Sequence, residues 1–479
     1  MTTGGGSGRR ARLVARCAAV LCVFLTAAGV VGAHERPMTD TEAAHMALRV
    51  RAEARHAWRG YMRYAAGHDE LRPLSRTPKD WYSDSLLMTP VDALDTLVIL
   101  GLNTEARQAQ ELIDHRLSFD HDMFVNKFEV TIRLLGGLLS AYQLTHDPRL
   151  LELADDLGRR LRPVFNSPTG IPWAQVNLHT GAVRGNVVDP AESGSLILEF
   201  GTLANLTGKR EYYDEAKRAL VAVYNRRSSL GLVGSAINIE TGAWTDPDSH
   251  VGGGIDSYYE YLYKCWKLFG DEDCRRMWDT SIAAVNRYAA DEVRGELWYG
   301  HADMRTGVHT ASRYGALDAF FPGLLALSGD IGRARRLQAS GLIMWRLNHL
   351  EPESLDYRTL TVIDGTYALR PEIIESAYYL YHYTGDPRYR AMGREFFADF
   401  VRRCRTPVGF AALADVRTGK QEDSMESYVL AEIFKYYYLL FAGPKALDFD
   451  AIVFNTEAHP LRRTVPAGLP RSRQGEPLR

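Results

Sequence analysis

Five times along the chain, a stretch of apolar helical periodicity runs into the same kind of short punctuation: LTHDPRL at Leu144, LTGKREY at Leu206, LFGDEDC at Leu268, LSGDIGR at Leu327 and YTGDPRY at Tyr383. The turns fall roughly 60 residues apart, and another amphipathic stretch follows each of them. A cluster such as Thr384-Gly385-Asp386-Pro387 ends one helix and starts the next, so the repeating unit is a helical hairpin. Gly101-Leu102-Asn103 opens the series and a helix from Ser424 to Phe441 closes it. About seven hairpins account for the body of the chain, either stacked as an open solenoid or closed into a ring.

The acidic residues favour closure. In each repeat they lie about three to four turns upstream of the punctuation: Glu129 before His146, Asp256 and Glu260 before Gly270, Glu372 and Glu375 before Gly385, with Glu199 before Gly208 at the deeper position. Taken singly, each is also an exposed, dipole-favoured helix start or half of an ordinary ion pair, as Glu129 is with Arg133 at i+4. If the first helices of all hairpins line a ring, they run parallel and these carboxylates converge at one mouth. A cluster of that kind persists only around water, a metal or a polyhydroxy ligand. Carbohydrate chemistry has that requirement.

Composition removes other classes. The 479 residues are 46% hydrophobic and 24% charged with a net charge of -2, which fits a large soluble core and gives no basic surface for nucleic acid. Arg9, Arg10, Arg12 and Arg16 precede an apolar run from Cys17 to Val31, and Val31-Gly32-Ala33 offers a small-residue cleavage site. Residues 1–33 are therefore expected to be a signal peptide, 34–460 the catalytic domain and 461–479 a disordered tail. No other stretch could cross a bilayer. The mature chain is expected to be a secreted or periplasmic monomer, or resident in the ER lumen if the source is eukaryotic. The abundance of arginine over lysine suggests a GC-rich bacterial source. Cys265 and Cys274 flank the Gly270-Asp271 turn; they could pair or remain buried thiols.

Ordered blocks spread from about Trp81 to Pro460 carry a family resemblance: Asp84-Ser-Leu-Leu-Met-Thr-Pro-Val-Asp92-Ala-Leu-Asp95, Phe128-Glu129-Val-Thr-Ile-Arg133-Leu-Leu-Gly-Gly, Leu198-Glu199-Phe, Gly254-Ile-Asp256-Ser-Tyr-Tyr-Glu260, Leu369-Arg370-Pro-Glu372-Ile-Ile-Glu375-Ser, Ser424-Met-Glu426-Ser and Phe454-Asn455-Thr456-Glu457-Ala-His-Pro. They resemble the signature blocks of glycoside hydrolase family 47, the class I α-1,2-mannosidases. The resemblance implies an all-α (α/α)7 barrel with a short C-terminal β segment plugging one end. It also implies a bound Ca2+ and hydrolysis of terminal α-1,2-linked mannose from mannose-rich glycans with inversion at the anomeric carbon. LGLVGSAINIETGAW at Leu230 and the Ala316-Leu-Asp318-Ala-Phe-Phe-Pro322-Gly323 block look closest to the ER degradation-enhancing α-mannosidase-like branch. Processing mannosidases of the family usually have histidine where Ala316 stands.

By resemblance, Glu129 matches the proposed general acid and Glu372 the base, with Asp256 competing for either role. An inverting pair works with its carboxyls about 6.5–9.5 Å apart, so that water fits between base and sugar. Arg370 could hold sugar hydroxyls, while Arg133, Glu199, Glu260, Glu375, Glu426, Asp92 and Asp95 would line the subsite or support it from behind. Thr456 would bind Ca2+ through its hydroxyl and carbonyl oxygens. Trp81, Trp298 and Phe320 are candidates for an apolar wall, although aromatics more often belong to the core. The competing readings are a mannose-binding, lectin-like module without turnover, supported by the Ala316 region, and another helical-toroid lyase or epimerase, which the NTEAHP block argues against.

Overall fold

The structure, a computed structural model, describes Met1 and residues 37–463. The expected signal peptide and most of the expected tail lie outside the described residues.

From Asp40 onward the chain alternates outer and inner helices. The outer ones are α1 (Asp40–Tyr64), α3 (Asn103–Arg116), α5 (Pro148–Leu161), α7 (Glu211–Tyr224), α9 (Glu272–Tyr288), α11 (Ile331–Asn348) and α13 (Arg388–Cys404). The inner ones are α2 (Met88–Ile99), α4 (127–145), α6 (Ile197–Thr207), α8 (Asp256–Phe269), α10 (Phe321–Leu327), α12 (Glu372–Thr384) and α14 (429–442). Each inner helix packs on the outer helix that follows it and on its inner neighbours, and α14 returns to α1 and α2, so the ring closes. This is the (α/α)7 barrel that the hairpin repeat and the family resemblance predict.

The recurring turns have a direct local cause. Gly270 and Gly385 end α8 and α12 in the left-handed conformation, at φ 72° and 64°, where a side chain is strained. The aspartates that follow at several turns cap the next helix, Asp147 accepting from the backbone N–H of Arg149 and Asp271 from those of Asp273 and Cys274. Cys265 and Cys274 are bonded across the α8–α9 turn, which decides the alternative left open by spacing; Cys404 is free and buried.

Two inner helices depart from α geometry near their N-terminal ends. Val130–Leu135 in α4 and Val429–Ile433 in α14 are wound as π-helix, a feature often found at functional positions. The last helix also starts later than Ser424. Ser424–Ser427 stays out of the helix because its side chains are bonded elsewhere, Ser424 to Glu426 and Ser427 to Asp92.

Short antiparallel ribbons occupy the connections from each outer helix to the next inner one, and so surround one end of the barrel. The other end is entered by a terminal hairpin in which Ile452–Phe454 pairs with Pro460–Arg462. Leu461 in that hairpin is fully buried, so the hairpin continues past 460 to Arg462. No helix among the described residues is long and apolar enough to cross a membrane.

Candidate active site

A cavity of about 340 Å³ opens where the inner helices begin. Glu129 and Arg133 reach it from α4, Asp256 and Glu260 from α8, Arg370, Glu372 and Glu375 from the start of α12, and Thr456 from the tip of the terminal hairpin. The acids arrive together because each stands near the N-terminus of a helix that runs parallel to the others around the ring. Glu432, Glu457, Asp189 and Glu192 also line the cavity. These four carry no signal of periodicity at the sequence level, although Glu457 adjoins Thr456 in the NTEAHP block.

The remaining predicted site residues do not line the cavity. Asp92 and Asp95 are fully buried and share His459, whose Nδ1 is 2.7 Å from Asp95 Oδ2 and whose Nε2 is 3.0 Å from Asp92 Oδ1. Lys435 Nζ lies 2.9 Å from Asp95 and also donates to the Ala458 carbonyl at 2.6 Å. Glu199 accepts from Tyr261 at 2.6 Å and from Asn455 Nδ2 at 2.8 Å. Glu426 bonds to Ser424 at 2.6 Å and to Lys79 at 3.4 Å. These four positions can support the site but do not form its wall. Of the aromatic candidates, Phe320 lines the cavity, Trp81 lies against the Arg133 guanidinium at 5.2 Å, and Trp298 is a core residue stacked on Tyr357.

The two arginines organise the acids. Arg133 Nε donates to Glu129 at 2.8 Å, and its Nη1 donates to Glu457 and to Ser427 Oγ at 3.3 Å. Arg370 is held by Glu353 in a two-point bond at 2.8 and 3.1 Å. Leu369, just before it, has φ 63°, so the entry to α12 holds a strained non-glycine residue beside the site.

Burial pushes the Glu372 carboxyl up to about 7, against the favourable charge of Arg370. Burial also holds Asp256 well above the usual carboxylate range, reinforced by Asp189, Glu260 and Glu372 and opposed by one 2.8 Å bond from the Ser257 N–H. Glu375 and Glu432 are raised by burial and by their acidic neighbours.

These residues fit a hard cation. Thr456 offers hydroxyl and carbonyl oxygens beside Glu457, Glu432, Glu375 and Glu260, and two buried oxygens nearby, Glu199 Oε2 and Glu372 Oε2, have no hydrogen-bond partner among the described residues. Ca2+ prefers such an all-oxygen setting, with water completing its six to eight ligands. A positive charge there would also offset the mutual repulsion that raises the carboxyls.

Comparison with known proteins agrees with this arrangement. The family model for glycosyl hydrolase family 47 matches residues 53–463. "Alpha-mannosidase I MNS4" of Arabidopsis thaliana is 38% identical over 477 residues, covering 94% of this chain and 75% of that protein. "ER degradation-enhancing alpha-mannosidase-like protein 2" of Homo sapiens is 37% identical over 468 residues, covering 89% of this chain and 80% of that protein. The structure of the alpha-1,2-mannosidase from Trichoderma reesei superposes with a TM-score of 0.81 at 26% identity, over 88% of this chain and 99% of that one. The match runs from within α1 to the terminal hairpin and includes the blocks that bring the acids, arginines and threonine into one cavity, and on that ground the chain belongs to glycosyl hydrolase family 47.

Proposed function

We propose that the protein is a calcium-dependent, inverting exo-α-1,2-mannosidase that removes terminal mannose from mannose-rich glycans as a secreted monomer. The observation that carries this reading is the convergence of three candidate proton-transfer acids, two arginines and Thr456 on one cavity. A pocket that ends at the terminal hairpin suits a chain-terminal sugar. The basic and apolar segment from Arg9 to Val31 supports secretion.

Hydrolysis breaks the bond between the anomeric carbon and the glycosidic oxygen and forms a new bond to a water oxygen on the opposite face. Glu372 accepts the water proton as general base. Asp256, kept neutral by burial, holds a proton available for the leaving oxygen. Glu129, held by the 2.8 Å bond from Arg133 Nε, relays that proton through water to the leaving oxygen. Arg370, fixed by Glu353, orients the sugar hydroxyls. Thr456 would hold Ca2+, which when bound supplies coordination to two sugar hydroxyls and favours ring distortion.

Proton NMR of the protein acting on α-1,2-linked mannobiose, with calcium and after exhaustive chelation, tests this. The expected result is calcium-dependent release of β-mannose as the first-formed anomer. First formation of α-mannose would overturn inversion. Saturable shifts of the sugar signals without release would instead favour the lectin-like reading.

A further inference from the structure

Asp248, His250 and His301 gather at a place the mechanism above does not use. Each offers a metal-ligating atom, these atoms lie within 4.8 Å of one another, and none of the three residues lines the cavity. Strand pairing brings them together: Asp248–Ser249 pairs with His301–Asp303, which also pairs with His309–Ala311 in one three-stranded ribbon. His301 Nδ1 lies 2.6 Å from Asp248 Oδ2. The His250 ring stacks on that of His301, with centroids 4.4 Å apart. All three side chains are half-buried.

Their other polar atoms are held from behind, as the supporting residues of a metal site hold its ligands. Thr310 Oγ1 donates to Asp248 Oδ1 at 2.9 Å, leaving Oδ2 for His301. Ser235 Oγ donates to the Asp248 carbonyl at 2.7 Å and lies 3.1 Å from His250 Nε2, so the imidazole donates to that hydroxyl and carries its lone pair on Nδ1. The Gly252 N–H is bonded to this lone pair at 3.1 Å. A second acid backs the turn. Asp318 is 8% exposed, its Oδ1 has no hydrogen-bond partner among the described residues, and a Cβ on Gly252 would come 2.9 Å from that oxygen. The Gly252 N–H thus has an unfilled acceptor beside it if His250 releases it.

We propose that Asp248, His250 and His301 form a binding site for a divalent transition-metal ion of the Zn2+ type, separate from the oxygen-lined cavity and independent of the mannosidase reading. Two imidazoles and one carboxylate suit Zn2+, whereas Ca2+ takes oxygen ligands. The ion takes the place of the proton between His301 Nδ1 and Asp248 Oδ2, and that proton shifts to His301 Nε2. Zn–N and Zn–O bonds of about 2.0–2.2 Å at a tetrahedral angle spread the pair to about 3.4 Å, a movement of less than an ångström. His250 contributes its Nδ1 lone pair, the Gly252 N–H turns to Asp318, and water completes a four-coordinate shell. A metal there would pin the turn that follows His250, in which Gly253 and Gly254 line the cavity just ahead of Asp256.

The test takes untagged protein, strips it of metals, saturates it with Ca2+ so that the carboxylate cavity is occupied, and titrates it with Zn2+ by calorimetry and with Co2+ by visible absorption. The expected result is one equivalent of Zn2+ bound with micromolar affinity, and visible Co2+ bands that Zn2+ abolishes. His250→Gln, His301→Gln and Asp248→Asn should each weaken Zn2+ binding more than about tenfold, since even the supporting residues of a metal site are worth about 10–100-fold. His309→Gln, an exposed histidine on the paired strand, and Thr456→Val in the cavity should leave the Zn2+ affinity unchanged. Melting in chelator identifies which variants are folded, and if one of the three ligand variants is not, the other two decide. Absence of a saturable equivalent, unchanged affinity in the folded ligand variants, or loss of Zn2+ binding in His309→Gln or Thr456→Val would overturn the proposal.

Discussion

At the scale of single residues, Glu372 carries the sharpest expectation. A general base must be unprotonated to take a proton from water, so a carboxyl pushed up to about 7 should make kcat/KM rise about tenfold per pH unit below that value and level off above it. Loading with calcium should move this limb to lower pH, since a nearby cation favours the carboxylate. Glu372→Gln should lower kcat by roughly 10³-fold, with mannobiose affinity by calorimetry changing less than about threefold. A pH profile with its acid limb intact in that variant would assign the base elsewhere. Glu129, Asp256, Glu260, Glu372 and Glu375 are legible in the sequence because their distance from a helix-ending turn sets their height in a parallel ring. Glu432 is not, because it lies in a π-wound stretch where the usual spacing rules fail. Glu457 is not, because it sits on a non-helical tip whose destination depends on the whole barrel. Asp92 and Asp95 are legible as acids of the first inner helix but not as residues held away from the cavity, since spacing along α2 does not reveal the buried histidine that claims them.

At the scale of elements, the terminal hairpin is the piece that must be seated correctly, and it is anchored by a buried polar lock. Asn455 Nδ2 donates to the Ile132 carbonyl at 2.9 Å and to Glu199, while its Oδ1 accepts from the N–H groups of Glu457 and His459 at 3.0 and 2.8 Å. The bare backbone of α4 admits this: a Cβ on Gly136 would come 2.6 Å from Asn455 Nδ2 and 3.0 Å from the His459 ring. Gly136→Ala would gain about 1 kcal/mol of helix propensity, but overpacking costs about 1–3 kcal/mol, and the atom struck is a bonded amide that cannot swing away. The clash should win, with a net loss of about 1–2 kcal/mol in urea denaturation and weaker calcium binding. A variant as stable as the parent would mean that the hairpin is not rigidly docked. The hydrogen-bonded lock has a pH signature as well. His459 is raised in the folded protein by Asp95 and Asp92 despite burial, so its stabilising contribution is full below its unfolded pKa of about 6.5 and fades as pH rises through the folded value. The helical hairpins are legible because ten or more residues share one period, whereas the ribbons of two to four residues around the mouth offer no period to read.

At the scale of the molecule, closure of the ring by α14 against α1 and α2 means that no hairpin is terminal, so loosening one inner helix removes a neighbour from two others. In the proposed cation site Thr456 meets carboxylates from α8, α12 and α14, so their mutual repulsion acts on three inner helices at once. A ligand that binds only the folded ring stabilises it by mass action, by about 2.7 kcal/mol at a concentration 100 times its Kd. For a domain of this size that corresponds to a rise in Tm of roughly 3 °C. Calorimetric melting in calcium and in chelator should differ by about that amount, and Thr456→Val should remove most of the difference while leaving the chelated Tm nearly unchanged, because a threonine-to-valine change at the tip disturbs little else. Magnesium should substitute poorly, since its small, strictly octahedral shell is difficult to satisfy with a fixed hydroxyl and carbonyl pair. If calcium leaves the melting of the parent protein unmoved at millimolar concentration, protons must balance these carboxylates instead, and activity should then fall as pH rises through about 8, where Glu375 loses its proton.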